Sequence, residues 1–189
     1  MKRLGLLFLL LVLLVLLVAV LWSIRRQRDV TLRLHAAGSI EQMLPTLAGL
    51  SLATVTGGNS VELLENGRYF EVLLERIRAA RRSVHLETFL WKEGEIGERL
   101  SDALAERARA GCEVRLLLDA NGCRRMGHGA LRRMHEAGCR VVFFHDTALR
   151  NLGWLNNRDH RKLVVIDGRE ALAGGHCIVD TWLGDAEDH

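Results

Sequence analysis

A histidine, a lysine and an aspartate follow one another at short spacing between positions 160 and 175, where the chain reads HRKLVVIDGREALAGG. In an extended strand alternate side chains point to the same side, so we expect His160 and Lys162 to enter one cavity. Histidine titrates near neutral pH and acts as a nucleophile or a proton donor. Lysine supplies positive charge for phosphate oxygens, where negative charge accumulates in a transition state. These residue types at this spacing indicate phosphoryl-transfer chemistry.

The apolar run after this pair predicts the element that positions it. Residues 163–166 read Leu-Val-Val-Ile, which is typical of a strand buried on both faces. Asp167 and Gly168 then supply turn chemistry. Gly174 and Gly175 lack side chains, so the backbone there can approach a ligand closely.

The spacing HxKxxxxD resembles the signature of the phospholipase D superfamily. The wider stretch NNRDHRKLVVIDGREALAGG is similar to the bacterial cardiolipin synthase branch in particular. The similarity continues upstream through VELLENGRYFEVLLERIRAARRSVHLETFLW and GCEVRLLLDANG, so it covers roughly residues 55–185. The resemblance implies an α/β fold, namely a phospholipase D-like lobe with a mixed sheet flanked by helices.

The resemblance also implies a catalytic role for each motif residue. His160 corresponds to the family histidine, which forms a phosphohistidine in one lobe and serves as general acid in the other. Lys162 corresponds to the phosphate-binding lysine. Asp167 corresponds to the motif aspartate, whose part is more structural and supporting than chemical. The implied reaction uses no cofactor and no metal ion.

The turn after the motif strand is the expected substrate-binding segment, and it comprises Gly174, Gly175 and Cys177. The family usually has Asn where this chain has Cys177. Because a thiol is a poorer hydrogen-bond partner for phosphate than an amide, the phosphate contact expected there is weakened.

One copy of the motif is present, since no other histidine is followed by lysine at the second position. Cardiolipin synthases of the family carry two copies, one per lobe, that face each other across a shared site. We therefore expect either the N-terminal part of a longer two-lobe protein or a chain that pairs with another copy. The implied function is phosphatidyl transfer between phosphatidylglycerol molecules. The alternatives are a homodimeric phosphodiester hydrolase, as a phospholipase or nuclease, and an inactive membrane scaffold.

The N-terminal residues predict a membrane anchor. Residues 4–24 carry no charge, and at about 1.5 Å per residue these 21 residues span a hydrocarbon core of roughly 30 Å. A cleaved signal peptide is the alternative, but the apolar run is long and no small-x-small cleavage site follows it. We expect the protein to lie at a cell membrane, namely a bacterial inner membrane, and its N-terminal helix to cross that membrane once. Basic residues flank both ends, so orientation stays open.

Charge and organisation fit a lipid substrate better than nucleic acid. The chain has a formal charge of +3, but its first 28 residues hold five Lys or Arg, which leaves 21 basic and 23 acidic residues in the remainder. A nuclease is expected to present a basic face instead.

We divide the chain into an anchor with basic flanks (1–28), a linker with some helical character (29–59) and the lobe (60–189), which we expect to continue beyond the given C-terminus.

Apolar periodicity predicts alternating strands and helices in the lobe. The predicted strands are 61–64, 84–91, 114–119, 141–144 and the motif strand, and the predicted helices are 69–80, 96–110 and 130–137.

Several other residues remain open from sequence. Glu87 and Asp119 lie at or near strand ends and are either pocket-lining or locally paired acids. His176 neighbours the glycine turn and is either a phosphate contact or a structural histidine. The cysteines and histidines between positions 123 and 139 could be written as a zinc set, but no CxxC is present, and buried thiols explain them better.

Overall fold

The computed structural model describes residues 2–26, 39–145 and 157–185, which belong to two compact units, Met1–Val61 and Glu62–His189. The first unit contains helix α1 (Lys2–Arg26) and helix α2 (Ile40–Ser51). Within α1, the 20 residues Arg3–Trp22 are long and apolar enough to cross a membrane, and their side chains are exposed. Helix α2 lies within the segment predicted as a linker with helical character.

The second unit is an α/β domain with a five-stranded mixed sheet, which confirms the predicted fold class. Its strands are β1 (Ser83–Thr88), β2 (Glu113–Asp119), β3 (Arg140–Phe144), β4 (Lys162–Ile166) and β5 (Glu170–Ala173). Its helices are α3 (Arg68–Ala79), α4 (Glu95–Arg109) and α5 (His128–Glu136), and a short 3₁₀ turn spans Asp180–Trp182.

The strand order β3-β2-β1-β4-β5 brings three strand ends together. Strands β1, β2 and β3 are parallel, whereas β4 runs antiparallel to β1 and to β5. Lys162 at the start of β4 pairs with Thr88 at the end of β1, and Asp119 ends β2 next to it. We call this edge of the sheet, marked by Thr88, Asp119 and Lys162, the site edge.

The helices pack against one face of the sheet, and the core lies between them. Phe70 of α3, Leu104 of α4 and Met134 of α5 are fully buried with Val84 and Leu116 of the sheet. Their spacing follows the helical and strand periods of the sequence, which is why periodicity located these elements.

The opposite face of the sheet is less well covered among the described residues. A shallow groove of about 520 Å³ runs across it, lined by residues such as Leu117, Val142 and Val165. The motif strand was predicted to be buried on both faces, and this is wrong for the described part of the chain. Val164 and Ile166 are buried, whereas Leu163 and Val165 are half-buried on the open face.

Other differences concern strand limits. Residues 61–64 do not form the predicted strand, because Val61 and Leu63 are exposed at 96% and 82% and pair with no neighbour. Strand β1 ends at Thr88, and Trp91 makes only an isolated bridge to Ile178. The sequence did not predict β5, which pairs with β4 across the Asp167 turn.

Candidate functional site

His160 and Lys162 meet at the site edge, although His160 precedes β4 rather than lying within it. The Lys162 ammonium is 3.0 Å from His160 Nδ1 and donates a 2.8 Å hydrogen bond to the His160 carbonyl oxygen. Lys162 is only 8% exposed, whereas the His160 ring is exposed. A buried cation therefore lies directly beneath an accessible imidazole.

The contact with lysine limits which ring nitrogen of a neutral His160 can carry the proton. An ammonium has no acceptor, so Lys162 donates to Nδ1, and a neutral His160 then carries its proton on Nε2. Attack through Nε2 requires the other tautomer, in which Nδ1 donates to an acceptor. Within the described ranges no carboxylate contacts Nδ1 to hold that tautomer.

Phe89 forms the side wall of this pair and was not identified from sequence. Its ring centroid lies 4.5 Å from that of His160, and the Lys162 ammonium lies 5.2 Å from the Phe89 centroid. An aromatic face attracts a cation at this distance. Its position could have indicated this role, because Phe89 directly follows the carboxyl end of β1.

Asp119 anchors the segment that leads into the motif. Its carboxylate is 1% exposed and accepts a 3.0 Å hydrogen bond from the Asp159 amide through Oδ2. Through Oδ1 it accepts hydrogen bonds from the amides of Asn121 and Gly122, at 3.0 and 2.8 Å. Of the two possibilities left open from sequence, the paired acid is the one observed. Asp119 thus joins the end of β2 to the residue before His160.

A second acidic group lies beside the motif. Burial, followed by the neighbouring Asp159 carboxylate, raises the pKa of Glu87, and Arg161 opposes this rise through an ion pair of 3.3 Å. Asp159 is itself buried, and its Oδ2 atom has no hydrogen-bond partner among the described residues. Asp159 and Arg161 were missed as site residues, although they flank His160 in the sequence.

Asp167 follows β4 at the opposite end from Lys162, about 16 Å away at roughly 3.3 Å per strand residue. Its carboxylate accepts hydrogen bonds of 2.7 to 3.2 Å from the amides of Arg81, Arg82 and Ser83. These backbone hydrogen bonds lower the pKa of Asp167. The structure therefore does not bring Asp167 together with His160 and Lys162, and its carboxylate ties the α3–β1 connection to the β4–β5 turn.

The glycine turn lies next to the site edge. The Gly174 amide donates to the Lys162 carbonyl oxygen at 3.3 Å. A Cβ placed on Gly175 would meet no atom within 4 Å, and one on Gly174 would find only His176 Nδ1 at 3.9 Å. Packing within the described protein therefore does not require glycine at these two positions. The space beside them, next to the motif, is open.

Cys177 and His176 follow this turn. Cys177 is a free, half-buried thiol. His176 stacks on Tyr69 with centroids 4.6 Å apart and meets the edges of Phe70 and Trp182. Burial lowers the pKa of His176. These contacts give His176 a structural role in holding the turn against α3.

The cysteines and histidines between positions 123 and 139 do not come together as a zinc site in the described structure. Cys123 Sγ donates to the Phe89 carbonyl oxygen and Cys139 Sγ to that of Leu104, each at 3.7 Å. Burial is the main cause that raises the pKa of Cys123 to about 12 and that of Cys139 to about 11. No group of three potential ligands forms in the part of the chain that the structure describes.

Comparison with known proteins identifies the family. Residues 73–179 match the family described as cardiolipin synthase, phospholipase D-like domain. The major cardiolipin synthase ClsA of Bacillus subtilis is 39% identical over 134 residues, which cover 70% of this chain and 28% of that protein. Cardiolipin synthase A of Pseudomonas fluorescens is 36% identical over 169 residues, which cover 86% of this chain and 34% of that protein.

Among solved structures, Nuc of Salmonella typhimurium, a phospholipase D family member, superposes with a TM-score of 0.47 at 13% identity. The superposition covers 62% of this chain and 68% of Nuc. The chain spans about a third or less of the length of the two cardiolipin synthases. Because the family match extends over more than half of the chain, from α3 through the motif and the glycine turn, the chain belongs to the phospholipase D-like domain family of the cardiolipin synthases.

Proposed function

We propose that this chain provides one catalytic lobe for phosphatidyl transfer between phosphatidylglycerol molecules, the reaction that forms cardiolipin. The observation that carries the proposal is the exposed His160 ring held against the buried Lys162 ammonium at the site edge. The lipid substrate comes from the family to which the chain belongs. Helix α1, which is apolar over 20 residues, is proposed to hold the lobe at a membrane.

In the first half-reaction, His160 attacks the phosphorus of one phosphatidylglycerol. A nitrogen–phosphorus bond forms, the bond from phosphorus to the glycerol oxygen breaks, and glycerol leaves with a proton. In the second half-reaction the hydroxyl of another phosphatidylglycerol attacks the phosphohistidine and gives its proton to the group that protonated glycerol. The nitrogen–phosphorus bond breaks, which regenerates the imidazole. No change of oxidation state is involved.

Substrate binding provides a way to switch the His160 tautomer. The phosphate competes with Nδ1 for the Lys162 ammonium, and once lysine turns to phosphate, Nδ1 is free to carry the proton. Nε2 then has a free lone pair for attack. An acceptor that fixes this tautomer, and an acid that protonates glycerol, come from a second lobe in this proposal, supplied by further sequence or by another copy.

The attack by His160 is testable on the single chain if the leaving group needs no acid. The full chain in neutral detergent is mixed with a phosphatidyl ester of p-nitrophenol, whose phenolate leaves unprotonated. We expect a burst of p-nitrophenolate of up to one equivalent and a phosphatidyl adduct on His160, detected by mass spectrometry and labile in acid.

Matched variants decide the assignment. His160→Ala should remove both burst and adduct, whereas His85→Ala should keep both, since His85 is exposed on β1 and pairs with Glu113. A burst that survives in His160→Ala, or an adduct mapped to another residue, contradicts the nucleophile. Continuous release of p-nitrophenolate beyond one equivalent, in which water cleaves the phosphohistidine in each turnover, favours hydrolysis over transfer.

A further inference from the structure

A cavity of about 800 Å³ opens beside the motif but does not include His160 or Lys162. It lies among the segment after β1, the segment after β2 and the start of α5, so it belongs to the same edge of the sheet as the motif. Its basic lining residues are Lys92, Arg124 and Arg125, and its apolar ones include Met126, Leu131 and Phe143. A smaller adjoining cavity of about 490 Å³ shares the three basic residues.

The three basic side chains carry charge that nothing described neutralises. Lys92, Arg124 and Arg125 are exposed, and no carboxylate of the described residues lies within 4.0 Å of their charged nitrogens. By contrast, Arg99 and Arg133 on the nearby helices each pair with two carboxylates. The cavity therefore concentrates positive charge, although the lobe as a whole is slightly acidic.

The backbone fixes where these cations stand. The Glu93 amide donates a 2.6 Å hydrogen bond to the Arg125 carbonyl oxygen, and Lys92 forms a bridge with Arg125. Glu93 is the one acid among the lining residues. Its carboxyl carbon lies 3.4 Å from where a Cβ of Gly127 would stand, at the start of α5. Because the Glu93 carboxylate already lies at the start of α5, an anion in the cavity would contact the basic side chains rather than the helix N-terminus.

A lining that combines unpaired cations with apolar side chains matches an amphiphilic phosphate ester. The volume lies within the range of about 300–1,000 Å³ typical of small-ligand pockets. We propose that this cavity binds the phosphate and the adjoining apolar part of an anionic phospholipid, as a second lipid site beside the motif. That this lipid is the one whose hydroxyl accepts the phosphatidyl group rests on the proposed function. The binding of a lipid in the cavity does not.

The test measures binding rather than turnover. Equilibrium dialysis of the full chain in neutral detergent uses dihexanoylphosphatidylglycerol below its micellar concentration. The double variant Arg124→Gln/Arg125→Gln should weaken binding by roughly tenfold or more, because it removes two cations that would form charge-assisted hydrogen bonds with the phosphate. The matched control is Arg78→Gln/Arg132→Gln, which removes the same charge from exposed positions on α3 and α5 and should bind as the parent does.

Further arms separate the possible ligands. Glycerophosphoglycerol and inorganic phosphate should bind at least tenfold more weakly than the short-chain lipid, and a deoxythymidine 12-mer should not compete with it. Equal binding of inorganic phosphate, competition by the oligonucleotide or equal loss in both double variants overturns the proposal. Lys92→Gln, checked for an unchanged melting temperature, repeats the test if the double variant does not fold. His160→Ala should bind normally, so loss of the histidine adduct leaves this result intact.

Discussion

At the scale of single residues, the contact between Lys162 and His160 determines what the imidazole can do. The ammonium lies 3.0 Å from Nδ1 and donates to it, so a neutral His160 carries its proton on Nε2. The same ammonium is a cation beside the ring at which the proposed reaction places the substrate phosphate. In the proposed mechanism, one side chain thus couples phosphate binding to the availability of the His160 nucleophile.

Replacing the lysine tests this coupling. Lys162→Gln should slow formation of the His160 adduct by roughly 10²- to 10³-fold, the range seen when one transition-state donor is removed. The measurement is the burst rate with the p-nitrophenyl ester. Lys162→Arg keeps the charge and should recover part of the rate. An unchanged rate in Lys162→Gln would show that phosphate is held elsewhere.

Two glycines at the site differ in what surrounds them. A Cβ on Gly122 would stand 1.8 Å from the Phe89 carbonyl oxygen, whereas Gly175 faces open space. Gly122→Ala should therefore destabilise the fold, by about 1–3 kcal/mol as overpacking does. Gly175→Ala should change the free energy of unfolding by no more than about 0.5 kcal/mol.

Urea denaturation of both variants checks these values. If substrate approaches the glycine turn, Gly175→Ala should also reduce the rate of adduct formation while stability stays unchanged. A Gly175→Ala variant with parental stability and parental rate would remove this glycine from the substrate-binding residues.

At the scale of elements, the β4–β5 hairpin is held by a turn at the end remote from the motif. Asp167 and Gly168 have φ values of 54° and 68°, and the Arg169 amide donates to the Ile166 carbonyl oxygen. Two successive positive φ values are typical of the Asp-Gly type I′ turn. The Asp167 carboxylate then fixes this turn to the start of β1.

The depressed pKa of Asp167 makes this link sensitive to acid. Because the folded-state pKa lies below the unfolded value of about 3.9, the carboxylate stabilises the fold fully above that pH and loses its effect as pH falls through the folded pKa. Asp167→Asn should lower stability at pH 7, and its difference from the parent should shrink below about pH 4. Urea denaturation between pH 2.5 and 7 measures both. A difference that is constant over this range would mean that the carboxylate charge is not what stabilises the turn.

The helices and central strands were largely predictable, and the long-range contacts were not. Helix α4 was predicted over 96–110 and spans Glu95–Arg109, since its apolar spacing and Gly111 carry the signal locally. Its N-terminus, however, is capped by Asp180, 85 positions away, whose carboxylate accepts from the amides of Glu95 and Ile96. Likewise, Asp119 and Asp159 are 40 positions apart. No local pattern encodes such pairings.

Within the motif, the sequence could predict the contact between His160 and Lys162 but not the position of Asp167. Residues at spacing two meet whether the first lies in the strand or just before it, so the His160–Lys162 contact was predictable. Asp167 was assigned through the motif, and only the length of β4 shows that it lies at the far end. Strand β5 is four residues of mixed polarity, and its existence depends on pairing with β4.

At the scale of the whole molecule, the single copy of the motif occurs with a sheet face that the described residues leave partly open. The groove on the open face is lined by apolar residues and by His85, Arg115 and Arg140. In-line displacement at phosphorus places the attacking and leaving groups on opposite sides, so one histidine cannot serve both. The proposed reaction therefore requires a second lobe or a second copy, and an apolar surface of this kind could contact it.

We therefore predict that the 189-residue chain, verified as a monomer by light scattering, turns over no phosphodiester with an alkyl leaving group. If copies pair, activity should rise with the square of chain concentration at low concentration. The assay follows glycerol release from phosphatidylglycerol, with His160→Ala as the background. Turnover by a monomer that His160→Ala abolishes would establish a self-sufficient hydrolase.

The four thiols of the chain differ in how they are placed, and this offers a direct way to observe the site. Cys112, Cys123 and Cys139 are buried, and burial raises the pKa of the latter two to about 12 and 11, whereas Cys177 is half-buried two residues after Gly175. A maleimide at neutral pH should modify Cys177 first, which intact-mass analysis and peptide mapping would check. The native chain therefore already carries a single attachment point for a fluorophore or spin label beside the glycine turn, from which lipid arrival can be followed without introducing a cysteine.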